Sequence, residues 1–332
     1  MGGVATAGGS ATGGDAIGSS VIRSRAVHNR NARPGIGFIA PSGQLLDPEA
    51  LDRAIDYFKA RDFRVICPAA VRRSHQRFSG TDATRVQALH AMLARDDVEV
   101  VMAVRGGYGL SRLLDQIDYG FIAKSKKILV GHSDFTALTA AMYAQGKSIG
   151  YCGPTAAYDF GAHAVSSFTE GHFFGVLHHA RHRIEVTASN PYRLNLNGRI
   201  WGGNLAMLAH LAGTRYLPRI RNGILFVEDI NEHPYRIERM LYQLHHAGIL
   251  ARQGALVLGD FSEYKLLSSD NGFNFETMVA HLRDRLGIPV ITGLPFGHCR
   301  DKLTIPFGAK AVLEVGHSGF SLELSAYPFL QT

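Results

Sequence analysis

Apolar residues along this chain fall into two alternating rhythms. Short unbroken runs, in "GIGFIAPSG", "FRVICP", "VEVVMAVRGGYG" and "KKILVGHS", read as strands buried on both faces. Between them the apolar positions recur three and four apart. "PEALDRAIDYFKARD" carries Leu51, Ile55 and Phe58 on one helical face. "TDATRVQALHAMLARDD" carries Val86, Leu89 and Leu93 behind Thr81 and Asp82, two residues suited to a helix cap. "LSRLLDQID" reads as a short helix, "DFTALTAAMYAQG" as another, and "SIGYCGP" as a fifth strand. This alternation predicts a parallel sheet with ligands at the carboxyl ends of its strands. Three loops stand there: "APSG", "RGGYG" and "GHSD".

The rhythm changes after Gly161. "HRIEVTASNPYRLNLNGRIWGGN" has short strands and turn residues, as a linker into a second domain would. "AMLAHLAGT" is helical and stops at Gly213. "HPYRIERMLYQLHHAG" is a helix with Pro234 in its first turn and Gly248 past its end. "NGILFVED", "GALVLGDFS", "IPVITGLPFGH" and "AVLEVG" are strand candidates.

Composition sharpens this picture. With 332 residues, 46% of them hydrophobic, the chain exceeds what one core usually holds, so two domains are expected. The Gly/Ser/Ala-rich stretch 1–32 lacks a basic start followed by an apolar run, and predicts a flexible tail rather than a signal peptide. Residues 33–165 form the expected N-terminal α/β domain, 166–199 a linker, and 200–332 the C-terminal domain. Cys67, Cys152 and Cys299 are far apart and lack CxxC spacing, which suits a reducing, cytoplasmic setting. No apolar stretch has the roughly 20 residues of a membrane span. The net charge of +7 lies partly in Arg23, Arg25, Arg30 and Arg33, and no basic run is interleaved with aromatics. Neither a membrane nor a nucleic-acid partner is expected.

Ser133 raises the chemical question. A strand that turns sharply into a helix lifts a serine above the sheet and aims the next backbone N–H at a developing oxyanion. Gly131-His132-Ser133-Asp134-Phe135 has that context, but Phe135 stands where the second glycine of GxSxG belongs. The segment alone also allows Ser133 to be a helix N-cap. His132 is adjacent, and alternation points it away from the Ser133 hydroxyl. His298, in a loop after an apolar run, is the better base candidate. Glu228, Asp229 and Glu232 are candidate acceptors for orienting it. HExxH spacing is absent, so no metal site is expected. "RGGYG" matches neither phosphate-binding glycine motif, and its glycines suit a close backbone approach to a carbonyl oxygen.

Together "APSG", "VRGGYG", "VGHSDFTAL", "WGGNLAMLAHLAGT", "ILFVEDINEHPYRIERMLYQLHHAGIL" and "GLPFGH" resemble the LD-carboxypeptidase (muramoyltetrapeptide carboxypeptidase) family, in its order, from about Gly35 onward. The resemblance implies a catalytic Ser133, Glu228 and His298. It implies oxyanion donors at Asp134 and at Gly107 or Gly106. It implies a flavodoxin-like or class I amidotransferase-like parallel-sheet domain and a smaller β-rich α+β C-terminal domain. The implied reaction is release of D-alanine from murein tetrapeptide in peptidoglycan recycling by a cytoplasmic homodimer, without a cofactor. Arg105, Arg236 and Arg239 are candidates for gripping the substrate carboxylate. Two other functions remain open: a microcin-immunity-type hydrolase of aminoacyl-nucleotides, and a non-catalytic muropeptide-binding protein.

Overall fold

The computed structural model describes residues 33–331, so the tail expected over 1–32 lies outside the described residues. The first half holds strands β1 (Gly35–Ile39), β2 (Arg64–Ile66), β3 (Val100–Ala103), β4 (Ile128–Gly131) and β5 (Tyr151–Cys152). Helices α1 (Pro48–Lys59), α2 (Asp82–Leu93), α3 (Tyr119–Ser125) and α4 (Thr136–Gly146) connect them, and α5 (Ser167–His178) follows. The strands run parallel in the order β2-β1-β3-β4-β5, the doubly wound order of a flavodoxin-like domain. Local signals set these boundaries. Asp47 caps α1 by accepting from the Ala50 N–H at 3.0 Å, and Pro48 opens the helix without losing a bond. Thr81 caps α2. Phe58 of α1 meets Phe173 and Phe174 of α5, and Phe160 ahead of α5, edge-on.

The second half contains β6 (Arg181–Thr187), β7 (Leu194–Asn204), α6 (Leu205–Leu211), β8 (Gly223–Ile230), α7 (Pro234–His246), β9 (Gln253–Ser262), α8 (Phe275–Arg285) and β10 (Val290–Thr292). They are followed by β11 (Ile305–Pro306), β12 (Lys310–Gly316) and β13 (Gly319–Ser325). Its sheet runs β10-β9-β8-β7-β12-β13-β6. The first four of these strands are parallel and the remainder antiparallel. β11 leaves this half and pairs with β5, adding an antiparallel edge to the first sheet. No described helix is long and apolar enough to cross a membrane.

Three readings change. "LSRLLDQID" is one short turn, Leu110–Arg112, and not a helix. Gly109 has a φ of 153°, outside any helix entry, and Asp118 instead caps α3 by accepting from the Phe121 N–H at 2.8 Å. The stretch expected as a linker, 166–199, holds α5, β6 and the start of β7. The short strands expected within this stretch are present, and in β6 exposed and half-exposed positions surround a single buried residue, Ile184. Ser133 is no side-chain cap. It opens a single turn, Ser133–Phe135, ahead of α4 without a capping bond.

Candidate active site

The three strand-end loops are stitched to one another. After β1, the Gly43 N–H donates to the Gly106 carbonyl at 3.2 Å. From α2, the buried Arg85 guanidinium donates to the carbonyls of Pro41 and Gly109. After β4, the Asp134 carboxylate accepts from the Leu110 N–H at 2.9 Å. Burial raises the Asp134 pKa, opposed by the Ser42 hydroxyl, by the Leu110 and Gly109 amides and by Arg85.

Ser133 sits where these loops meet, with a φ of 61°. Left-handed backbone at a serine costs roughly 1–2 kcal/mol, and such strain gathers at functional turns. From Ile128 to Tyr143 it is the one position that is not buried. The missing second glycine is explained by packing. The Phe135 ring lies under Gly131, where an added Cβ would meet it at 2.3 Å. Gly106 makes room for the serine itself: a Cβ there would stand 2.6 Å from the Ser133 Cβ. Gly107 follows with a φ of 108° against the backbone of Gly43, a conformation that suits glycine. Gly106→Ala is expected to lower kcat by about 100-fold, the scale of losing one oxyanion donor. Steady-state kinetics beside a melting curve separates this from unfolding.

The second sheet and the loop after β10 bring Glu228 and His298 together. Glu228 is 0% exposed near the end of β8. β9 carries one extra residue opposite it, between the pairs Val227–Leu258 and Asp229–Phe261, a bulge that re-aims the strand. Glu228 Oε2 accepts from His298 Nδ1 at 2.8 Å. Its Oε1 accepts from Asn204 Nδ2 at 3.2 Å, and the same Nδ2 reaches Asp229 Oδ1 at 2.9 Å. The Asn204 N–H donates to Thr136 Oγ1 at 3.0 Å, which docks the end of β7 on the helix behind Ser133. Asp229 accepts from the Ala206 N–H of α6 at 2.8 Å.

The His298 loop is itself anchored. Phe296 accepts from the Asp260 N–H at 2.8 Å. Lys302, 1% exposed, pairs with Asp159, 3% exposed, at 2.9 Å. Ser166 donates to Asp301 Oδ1 at 2.6 Å, and the Lys302 N–H donates to Thr169 Oγ1 at 2.9 Å.

His132 lies in the same place. Its ring packs against Phe296 and His298 with centroids 5.3 and 4.7 Å away, and its Nε2 is 3.9 Å from Glu228 Oε2. Burial first, then the Lys302 and His298 charges, hold its pKa well below the usual imidazole value. The Gly297 carbonyl faces the ring, yet both ring nitrogens lack a hydrogen bond.

The profile of the LD-carboxypeptidase N-terminal domain matches residues 36–153, and that of the C-terminal domain matches residues 197–313. The crystal structure of muramoyltetrapeptide carboxypeptidase from Oxalobacter formigenes superimposes with a TM-score of 0.85 at 44% identity, over 89% of this chain and 99% of that one. The chain belongs to the LD-carboxypeptidase family. The probable murein peptide carboxypeptidase of Bacillus subtilis (strain 168) is 29% identical over 87% of this chain and 91% of its own. The microcin C7 self-immunity protein MccF of Escherichia coli is 27% identical over 81% of this chain and 87% of its own. As a member of the LD-carboxypeptidase family the chain is a serine-type carboxypeptidase.

The arginines separate. Arg105 is half-buried just before Gly106 and Gly107 and donates to the Gln44 carbonyl at 3.0 Å. Burial and the neighbouring Arg77 charge lower its pKa, with no acid opposing them. Arg236 is exposed on α7 and engaged by Glu232. Arg239 is exposed on the same helix. Asn204, Lys302, Asp159 and Arg85 were missed by the sequence reading. A cap position before a helix was the only signal Asn204 carried, and it fills that role too, accepting from the Met207 N–H at 3.1 Å.

Asp229 supplies a pH test. Burial, then the Glu228 charge, raise its pKa from 3.8 to about 6. The folded value exceeds the unfolded one, so the protonated form is favoured by folding and that contribution is lost as pH rises through about 6. Relative to Asp229→Asn, the wild type is expected to lose up to about 3 kcal/mol between pH 4 and 7. Urea unfolding of both proteins at the two pH values measures this.

Proposed function

We propose that this carboxypeptidase releases the terminal D-alanine of murein tetrapeptide through an acyl-enzyme on Ser133. The observation that carries the reading is the Glu228–His298 hydrogen bond at 2.8 Å, with the His298 ring packed on His132, the residue before Ser133. His298 Nε2 takes the hydroxyl proton as Ser133 Oγ attacks the carbonyl that joins the L-centre of diaminopimelate or lysine to D-alanine. Among the described residues no hydrogen bond yet joins Ser133 to His298, and the step uses the tightening that substrate brings. Glu228 holds the Nδ1–H tautomer and stabilises the imidazolium. The oxyanion rests on the backbone N–H of Asp134 and of Gly107, with Gly106 alongside.

The tetrahedral intermediate collapses, D-alanine leaves with the proton from His298, and an ester remains on Ser133. Water, deprotonated by His298, then hydrolyses the ester. Arg105 is the best placed of the three arginines to grip the free carboxylate, since Arg236 is already paired. Following the family resemblance, the reading takes a homodimer that works in the cytoplasm on recycled peptidoglycan, and sedimentation tests the dimer.

The substrate assignment is supported by the names of the relatives above, and by higher identity to the muramoyltetrapeptide carboxypeptidase than to the self-immunity protein. The test is incubation with murein tetrapeptide, with a pentapeptide ending in two D-alanines, and with an aminoacyl-adenylate analogue, followed by mass spectrometry. Loss of one alanine from the tetrapeptide alone is expected. Cleavage of the analogue with intact tetrapeptide would favour the microcin-immunity reading. Binding of tetrapeptide without turnover would favour a binding protein.

A further inference from the structure

We propose that His132, Glu228 and His298 form a site for a divalent transition-metal ion of the zinc class, and that the ion switches the enzyme off. Each residue offers one ligand atom, and the three atoms lie within 4.8 Å of one another. Two imidazoles and one carboxylate, with a fourth position left to water, form a donor set zinc takes readily. HExxH spacing could not reveal it, because the ligands come from the β4 turn, β8 and the loop after β10.

His132 points to a ligand by itself. Its ring is 6% exposed, and neither nitrogen makes a hydrogen bond of ordinary geometry, although the Gly297 carbonyl faces the ring and can hold one of them while the other ligates. A buried polar group left unpaired costs roughly 1–3 kcal/mol, so its retention beside a carboxylate calls for a partner. Its Nε2 already stands 3.9 Å from Glu228 Oε2. Asn204 holds Glu228 by Oε1 at 3.2 Å, which leaves Oε2 turned toward both rings. This is the outer hydrogen bond that orients a ligating carboxylate.

Zinc bonds of about 2.0–2.1 Å require ligand atoms closer together than the widest separation here, so the rings must draw in by about 1 Å. His298 can do so: its side chain is 20% exposed on a loop, which also gives an ion access from solvent. Lys302, whose charge reaches His132, opposes a cation and keeps the affinity modest and the binding reversible.

Inhibition follows from the base. Coordination through Nε2 removes the lone pair that would take the Ser133 proton. Coordination through Nδ1 breaks the Glu228 hydrogen bond and moves the ring proton from Nδ1, by exchange with water, to Nε2, which leaves Nε2–H facing the serine, the wrong tautomer. Inhibition rests on the triad reading above, whereas binding does not.

The test uses the full chain in metal-free buffer. The Ser133→Ala variant is titrated with ZnCl2 against a chromogenic chelator, and one ion per chain is expected at this site. Adding His132→Phe, or His132→Gln if the Phe variant does not fold, is expected to weaken that binding at least tenfold. With wild type, Zn2+ is expected to stop D-alanine release and EDTA to restore it, and the His132 variants are expected to need at least tenfold more Zn2+. Absent binding, or binding that both His132 variants leave unchanged, would overturn the proposal. The latter result would place the ion elsewhere, for example at the His172–His182 pair, whose nitrogens are 2.8 Å apart. Failure of the carboxypeptidase reading looks different: metal-free wild type releases no D-alanine, while zinc binding persists.

Discussion

Glu228→Gln is expected to lower kcat by about 10³–10⁴-fold with little change in KM. Glu228 has no solvent contact, accepts from His298 Nδ1 through one oxygen and from Asn204 Nδ2 through the other. An amide of the same shape cannot accept from both donors. If its oxygen serves Asn204, its NH₂ meets His298, which then turns its Nδ1 lone pair inward and presents Nε2–H to Ser133. The base is lost although the fold remains. If its oxygen serves His298, the NH₂ faces the Asn204 amide and a buried donor is unsatisfied, at a cost of roughly 1–3 kcal/mol. Steady-state kinetics on tetrapeptide, beside a melting curve, distinguishes the two. A kcat within tenfold of wild type would remove Glu228 from the mechanism.

The largest expected loss of stability lies outside the triad. Lys302→Ala strands the Asp159 carboxylate, which also accepts from the Thr155 N–H at 2.7 Å and is 3% exposed. Removing one partner of a buried ion pair typically costs about 3–5 kcal/mol, a fall in Tm on the order of 10 °C for a chain of this size. The double variant Lys302→Met, Asp159→Asn leaves no uncompensated charge and is expected to recover much of the loss. Because Lys302 lies four residues beyond His298 on the same anchored loop, the single variant should also lose activity at temperatures where it is still folded. Thermal unfolding and kinetics of the three proteins check both statements. Equal melting of the single and double variants would show that the pair is not coupled.

How much of this was legible varies by element. Unbroken apolar runs ending in glycine-rich turns put "APSG", "RGGYG" and "GHSD" at the ends of β1, β3 and β4, because a strand buried on both faces leaves no polar position until it emerges from the sheet. β13 lies on the antiparallel side of the second sheet, where its apolar positions alternate with Ser321, Glu323 and Ser325, and its pairing with both β12 and β6 shows it as a strand. Among the acids, residue type alone left Glu228, Asp229 and Glu232 open. Strand alternation separated the first two onto opposite faces, but nothing local says which face holds a histidine seventy positions away. The environments differ sharply all the same: Glu228 meets His298, Asp229 caps α6, and Glu232 pairs with Arg236.

Lys302 and Asp159 were invisible for the same reason. A lysine in a polar loop reads as solvent-facing until a carboxylate 143 positions earlier is brought beside it. The clearest revision concerns Ser133. Strand, turn and helix were readable, and a cap was the simplest role for a serine there. The positive φ turns its side chain out of capping position, a property of backbone geometry that residue identity does not encode.

The account stands on Ser133 as the nucleophile served by a base from the other sheet. The direct test is the initial rate of D-alanine release from saturating murein tetrapeptide, read by mass spectrometry for wild type and Ser133→Ala. Wild type is expected to convert tetrapeptide to tripeptide, and the variant to fall by about 10⁴-fold or more while it still binds the peptide and melts normally. Release by Ser133→Ala within tenfold of the wild-type rate would contradict it.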